Sequence, residues 1–181
     1  LQLLSSILSL RKWRQEEDWP KVDQKALLMS VENWLSPYIT DVRNGHDLKK
    51  IDLYSAISHH FLSYDQMQTL DTLAPRRLKV PSGSEIKLKY SETGDMPILA
   101  ARIQELFGQQ KTPVINQGHT KVLVHLLSPG FKPVQVTTDL ENFWDQTYFE
   151  VRKEIKGRYP KHHWPDNPKE AEAIRAVKRK K

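Results

Sequence analysis

Residues 150–168 read EVRKEIKGRYPKHHWPDNP, and the two halves of this stretch obey different rules. From Tyr148 to Lys156 the residues Tyr148, Val151 and Ile155 recur at helical spacing, with Arg152, Lys153 and Lys156 beside them. Gly157 then stands where a helix C-cap glycine is expected, because a left-handed residue costs little without a Cβ. Beyond it, Tyr159-Pro160 and Trp164-Pro165 are X-Pro steps that force extended backbone and stiffen the chain. Arg158, Tyr159, Lys161, His162, His163 and Trp164 interleave cations with rings, a pattern that can hold a phosphate backbone and stack on bases. The same residues fit a plainer role, with Tyr159 and Trp164 packed onto a core and the charges solvated. Residues alone leave both open.

Charge around this stretch is uneven. The formal net charge is +6, yet residues 151–181 hold eleven Lys or Arg against four Asp or Glu, while residues 1–74 are net acidic. Such asymmetry suits a polyanionic partner, nucleic acid before acidic lipid, although a basic tail is also a common solvated terminus. Arg152, Lys153, Lys156, Arg158 and Lys161, extended by Lys178-Arg179-Lys180-Lys181, form the expected basic strip. The competing expectation is that Arg152 or Arg158 is tied to Glu150, Glu154 or Asp166.

Moving back along the chain, residues 75–149 alternate like a small sheet with helices. Arg77 to Val80 and Glu85 to Tyr90 read as a hairpin around Pro81-Ser82-Gly83-Ser84. A helix is expected over Pro97 to Phe107, capped by Asp95 and closed at Gly108, with Leu99, Ile103 and Leu106 on one face. Lys121 to Leu127 is nearly continuous in apolar residues and reads as a central strand buried on both faces. After the turn at Ser128-Pro129-Gly130, Pro133 to Thr137 returns with Val134 and Val136 inward, and Thr138 or Asp139 starts the helix through Phe143, Trp144, Tyr148 and Val151. The order ββαββα predicts a small, mostly antiparallel sheet with packed helices.

Residues 1–74 read as a helical bundle. Helices are expected from Leu3 through the charged run to Asp18, from Val22 to Leu35 with Pro37 ending it, from Asp47 or Asp52 to Phe61, and from Tyr64 to Leu73. Trp13, Trp19 and Trp34 are expected in its core. The expected organisation is therefore α+β: a helical subdomain over 1–74, an α+β domain over 75–168 and a basic tail over 169–181. A start at Leu1 in apolar LQLLSSILSL reads as the interior of a longer helix, and hence as a piece of a larger protein.

Several chemistries have no basis in these residues. The absence of cysteine excludes disulfides and thiolate metal sites. No GxxxxGK[ST] loop or DExH stretch is present to cradle phosphates or hold magnesium, and Ser82-Gly83-Ser84 reads as a turn. His59-His60 is adjacent and cannot present two imidazoles on one helix face, while His119, His125, His162 and His163 are scattered. No catalytic, cofactor or metal residue is expected in this chain. No apolar run reaches the roughly 20 residues needed to cross a bilayer.

The succession VPSGS (80–84), LAARIQELFG (99–108), TPVINQG (112–118), HLLSP (125–129), PVQVTTDL (133–140), NFW (142–144), EVRKEIKGRYPKH (150–162) and WPDNP (164–168) resembles the C-terminal region of HrpB-type bacterial helicases. WPKVDQKALLMSVENWLSPYI (19–39) is similar to the segment upstream of that region. The resemblance implies a cytoplasmic parent related to DEAH-box RNA helicases, with two RecA-like domains upstream that bind ATP and magnesium and act on nucleic acid, RNA rather than DNA. It also admits an OB-like sheet, since related helicases place a ratchet-like helical domain and an OB-fold after the motor. By analogy, Arg152, Lys153, Lys156, Arg158, Tyr159, Lys161, His162 and Trp164 would contact nucleic acid leaving the motor. The alternative is a protein-interaction module that docks on the motor or on a partner, for which the Pro-rich GRYPKHHWP would be the clamp.

Overall fold

The fold is given by a computed structural model, which describes residues 2–175; Lys178 to Lys181, expected to extend the basic strip, lie outside them. The chain divides into two compact units, one from Leu1–Ala74 and Tyr90–Asp95, the other from Pro75–Lys89 and Met96–Lys181.

The first unit is helical: α1 Gln2–Trp13, α2 Gln24–Met29, α3 Val31–Ile39, α4 Gly45–Leu48, α5 Leu53–Phe61 and α6 Tyr64–Leu73. Caps explain most of these boundaries. Asp23 accepts from the Ala26 N–H, Asn44 from the His46 and Asp47 N–H groups, and Asp52 from the Ser55 N–H. Ser63 and Gln66 form a reciprocal capping box at α6. The single helix expected over Val22 to Leu35 is two, because Ser30 turns back and donates its hydroxyl to the Ala26 carbonyl at 2.8 Å. Pro37 does not end α3 but sits in its last turns, where the single backbone bond it removes is tolerated. Trp19 and Trp34 are buried, as expected, and the Trp34 indole donates to the Leu27 carbonyl. Trp13 is only half-buried, its indole N–H held by the Gly94 carbonyl at 2.9 Å.

In the second unit β1 Arg77–Lys79, β2 Glu85–Lys89, β3 Ile98–Arg102, β6 Leu123–Leu127 and β7 Pro133–Thr137 are hydrogen-bonded, in that order, into a five-stranded sheet. A separate hairpin pairs β4 Val114–Ile115 with β5 Thr120–Lys121. Every neighbour pair in the large sheet is antiparallel except β3 with β6, so the mostly antiparallel α+β expectation holds. The ββαββα order does not. The expected helix over Pro97 to Phe107 is β3 followed by a 3-10 turn at Ile103–Glu105. Leu99 and Ile103 are four apart, a spacing that fits one face of a helix and one face of a strand equally. Pairing with β2 and β6 decides for the strand, with Leu99 and Ala101 buried and Ala100 exposed.

Two further expectations change with the register. β6 buries Val124 and Leu126 but leaves Leu123, His125 and Leu127 half-open, so it is covered fully on one face only. In β7, Gln135 and Thr137 stand opposite Leu126 and Val124, while Val136 stands opposite His125 on the open face. Val136 is accordingly 50% exposed rather than inward. The last helical run begins at Asp139, which caps α7 Leu140–Asn142, widens into a π stretch at Phe143–Thr147 and continues as α8 Tyr148–Arg158. Gly157 is not the C-cap. It stays helical, and Tyr159 closes the helix by donating its N–H to the Ile155 carbonyl.

The register predicts unequal costs of truncation. Leu99→Ala, at a fully buried position, should lower unfolding stability by about 3 kcal/mol, whereas Val136→Ala should cost less than about 1 kcal/mol. Denaturant midpoints of the two variants check this, and equal losses would mean that β7 is paired in another register.

Candidate nucleic-acid interface

The segment after α8 is strapped onto its own unit from inside. The Tyr148 hydroxyl, wholly buried, donates to the Pro165 carbonyl at 2.9 Å, and burial pushes this phenol above its ordinary range. Phe107, Phe143 and Trp144 surround it, with ring centroids 5.0–6.4 Å apart. Trp164 is buried, and its indole donates to the Tyr159 carbonyl at 3.1 Å. The strap continues past the expected start of a basic tail: the Gly108 N–H bonds the Pro168 carbonyl, Lys169 pairs with Asp145 at 2.7 Å, and the Ile174 N–H bonds the Gln104 carbonyl.

This arrangement sorts the eight expected contact residues. Trp164 cannot stack on a base as placed, since its ring is consumed by the core. Arg152 is held by Asp166 at 2.6 Å, and Arg158 pairs with Glu154 at 3.3 Å one helical turn back, both as the ion-pair expectation had it. The Arg158–Glu154 pair is solvent-exposed and therefore weak. Lys153, Lys156 and Lys161 are exposed, so α8 and the bend after it present these cations to solvent, with Glu150 and Glu154 exposed on the same helix. Tyr159 is half-buried and points its hydroxyl at the β6–β7 turn, 3.3 Å from the Ser128 hydroxyl. The His162 ring stands edge-on to Tyr159, with centroids 5.7 Å apart. Its Nδ1 is buried without a hydrogen-bond partner among the described residues.

Two residues at this end of the sheet were not anticipated from sequence. Arg102 closes β3 opposite Leu127 and lays its guanidinium 4.7 Å from the centroid of Phe131, which sits in the β6–β7 turn. Arg102 also bonds the Glu105 carboxylate at 3.0 Å. Burial works against the Glu105 charge, but the hydrogen bonds from Arg102 and Ser84 outweigh it and hold the carboxyl below its ordinary range. The available signal was an aromatic ring directly after Pro129-Gly130 in a turn. Nothing in the spacing linked it to Arg102, which is 29 positions earlier in the chain. Among the described residues no group of three or more His, Asp or Glu comes together as a metal site, and no helix is long and apolar enough to cross a membrane.

Comparison with known proteins adds to this geometry. The family model HrpB_C, described as ATP-dependent helicase C-terminal, matches residues 34–168. The ATP-dependent RNA helicase HrpB of Escherichia coli (strain K12) is 43% identical over 178 residues, which is 98% of this chain and 22% of that protein. A crystal structure of the E. coli DExH-box NTPase HrpB superposes with a TM-score of 0.83 at 43% identity, over 97% of this chain and 22% of that one. A second crystal structure, of the Escherichia coli DEAH/RHA helicase HrpB, gives 0.69 at 42% identity, over 90% of this chain and 20% of that one. The chain thus spans about a fifth of the length of the relatives it matches.

Two outcomes follow from the strap. Trp164→Ala should lower unfolding stability by about 3 kcal/mol, and an unchanged denaturant midpoint would show the indole to be dispensable to the fold. His162 is held below its ordinary 6.5 first by burial and then by the charge of Arg102. A depressed folded value means that the unfolded chain takes up the proton first, so stability is full above about pH 6.5 and is lost as pH falls toward the folded value. Melting temperatures should therefore fall less on acidification in His162→Gln than in the wild type, and parallel profiles would remove His162 from the acid response.

Proposed function

The chain belongs to the HrpB_C family of ATP-dependent helicase C-terminal regions, and from that premise we propose that it is an accessory module that holds nucleic acid for a motor elsewhere in the same protein. The observation that carries this reading is the exposed edge of Lys153, Lys156, Arg158 and Lys161 along α8 and the bend beyond it. The strap takes Trp164 inward and leaves Tyr159 and His162 half-buried, while the cations face solvent. A row of cations on a rigid element engages phosphates and releases their counterions, and it reads no sequence. ATP and magnesium would act in the motor domains, which supply the partner surface. RNA is the preferred strand, by analogy with the E. coli relative named as an RNA helicase, and the cytoplasm is the compartment.

A second reading, docking on the motor or on another protein, is favoured by a different observation. Leu28 and Met29 of α2 are 66% and 78% exposed in the helical unit. The Pro-rich stretch expected to clamp a partner is occupied within its own unit, which weakens its claim to that role.

Lys153→Glu, Lys156→Glu and Lys161→Glu combined should weaken binding of single-stranded RNA of any sequence and reduce the salt dependence by about 0.7 in log–log slope for each phosphate no longer engaged. A folded triple variant with unchanged affinity and slope would make this edge a solvated face, and the docking reading would then lead.

A further inference from the structure

The turn between β6 and β7 carries a ring that the fold does not require. The Phe131 N–H bonds the Ser128 carbonyl at 2.9 Å and the Ser128 N–H bonds the Lys132 carbonyl at 2.8 Å, which closes a three-residue loop of Pro129, Gly130 and Phe131. The last position of such a loop is left-handed and ordinarily falls to glycine or asparagine; here it is Phe131, at φ +62°. The adjacent glycine serves another need. A Cβ at Gly130 would lie 2.5 Å from the Tyr159 hydroxyl oxygen, so Gly130 gives clearance to the strap. Phe131 is left strained and 63% exposed. A bulky non-glycine residue in the left-handed region costs folded-state stability, and such an outlier motivates a search for what the ring does.

Its surroundings identify what the ring meets. Arg102 covers one face, and Arg102 is itself oriented by Glu105 and by the Arg175 carbonyl at 2.5 Å. Because the residue remains largely exposed beneath that cover, the rest of the ring faces solvent. Lys132 follows it in the turn and is exposed. Tyr159, which touches the turn at Ser128, ties it to the end of α8, where Arg158 and Lys161 lie within two residues of Tyr159. Two carboxylates stand among these cations: Arg102 is bonded to Glu105, and Arg158 shares a solvent-exposed pair with Glu154, while Lys132 and Lys161 are exposed. An open aromatic face among cations suits a ligand that is both π-faced and polyanionic, whereas an apolar protein segment would gain nothing from the charges.

We infer that Phe131, backed by Arg102, is a stacking seat for one base of a single-stranded nucleic acid whose phosphates follow Arg158 and Lys161. This rests on the reading of α8 as a phosphate-holding edge, and it adds a contact to the base itself.

Fluorescence anisotropy on the 181-residue chain would compare oligouridylate with an abasic strand of the same length and phosphate number. The wild type should prefer the base-bearing strand by at least about fivefold, the effect of one stacked base. Phe131→Asn, which suits the left-handed position, should melt no lower than the wild type, keep its affinity for the abasic strand and lose the preference. Phe131→Trp should retain it. If Phe131→Asn keeps the full preference, or the wild type shows none, the seat is overturned while the phosphate-holding edge stands. If the wild type binds neither strand, the edge fails and the seat with it, and a protein segment becomes the occupant to seek.

Discussion

One buried hydrogen bond organises the sheet unit: the Tyr148 hydroxyl to the Pro165 carbonyl, enclosed by Phe107, Phe143 and Trp144. A phenol taken out of water must find an acceptor or forfeit its solvation, and the chain brings Pro165 back across α8 to supply one. Everything around that bond follows from it. Trp164 is carried into the core beside Pro165, Pro168 reaches the Gly108 N–H, and the Trp144 indole finds the Gln109 carbonyl at 2.7 Å. Phe107 ties the same cluster to the exit of β3. The cluster thus joins the end of a strand, a helix and an irregular segment that has few regular backbone bonds of its own.

This core determines what the surface can do. A segment in which rings and cations alternate could present either class to solvent, and the cluster takes the largest rings inward. The charges left outside, with Phe149, lie on a helix whose roll is fixed by buried Tyr148 and Ile155. Asp166 removes Arg152 from the outer set, because the strap brings that carboxylate to within 2.6 Å of it. Tyr159 packs so closely on Gly130 that a Cβ there would lie 2.5 Å from its hydroxyl oxygen, which joins the β6–β7 turn to the end of α8. Glu105 plays a similar part at the exit of β3. It accepts from Arg102 and from Ser84 at 2.6 Å, so the turn at Ser82-Gly83-Ser84 is anchored to the same end of the sheet. The base of the turn and the guanidinium over Phe131 are therefore both held by groups that are themselves held.

What was legible in the sequence was whatever depends on near neighbours. The helical character of residues 1–74 and the break at Pro75 follow from apolar spacing and caps within three or four positions. The first hairpin follows from alternation around a glycine turn, and the Arg158–Glu154 pair, one of the alternatives open in the sequence, joins opposite charges one helical turn apart. The family resemblance was legible for a different reason: it rests on a long succession of short motifs in fixed order. Tertiary structure decided the rest. Leu99 and Ile103 satisfy helical and strand periods alike, so only the parallel pairing with β6 makes residues 98–102 a strand. Val136 faces outward because the register with β6 sets its phase, and a one-residue change of phase exchanges the two faces of a strand. Phe131 and Arg102 meet only because β3 and β6 end side by side. Local propensity is a property of consecutive residues, whereas register and the meeting of distant side chains are fixed by the sheet as a whole.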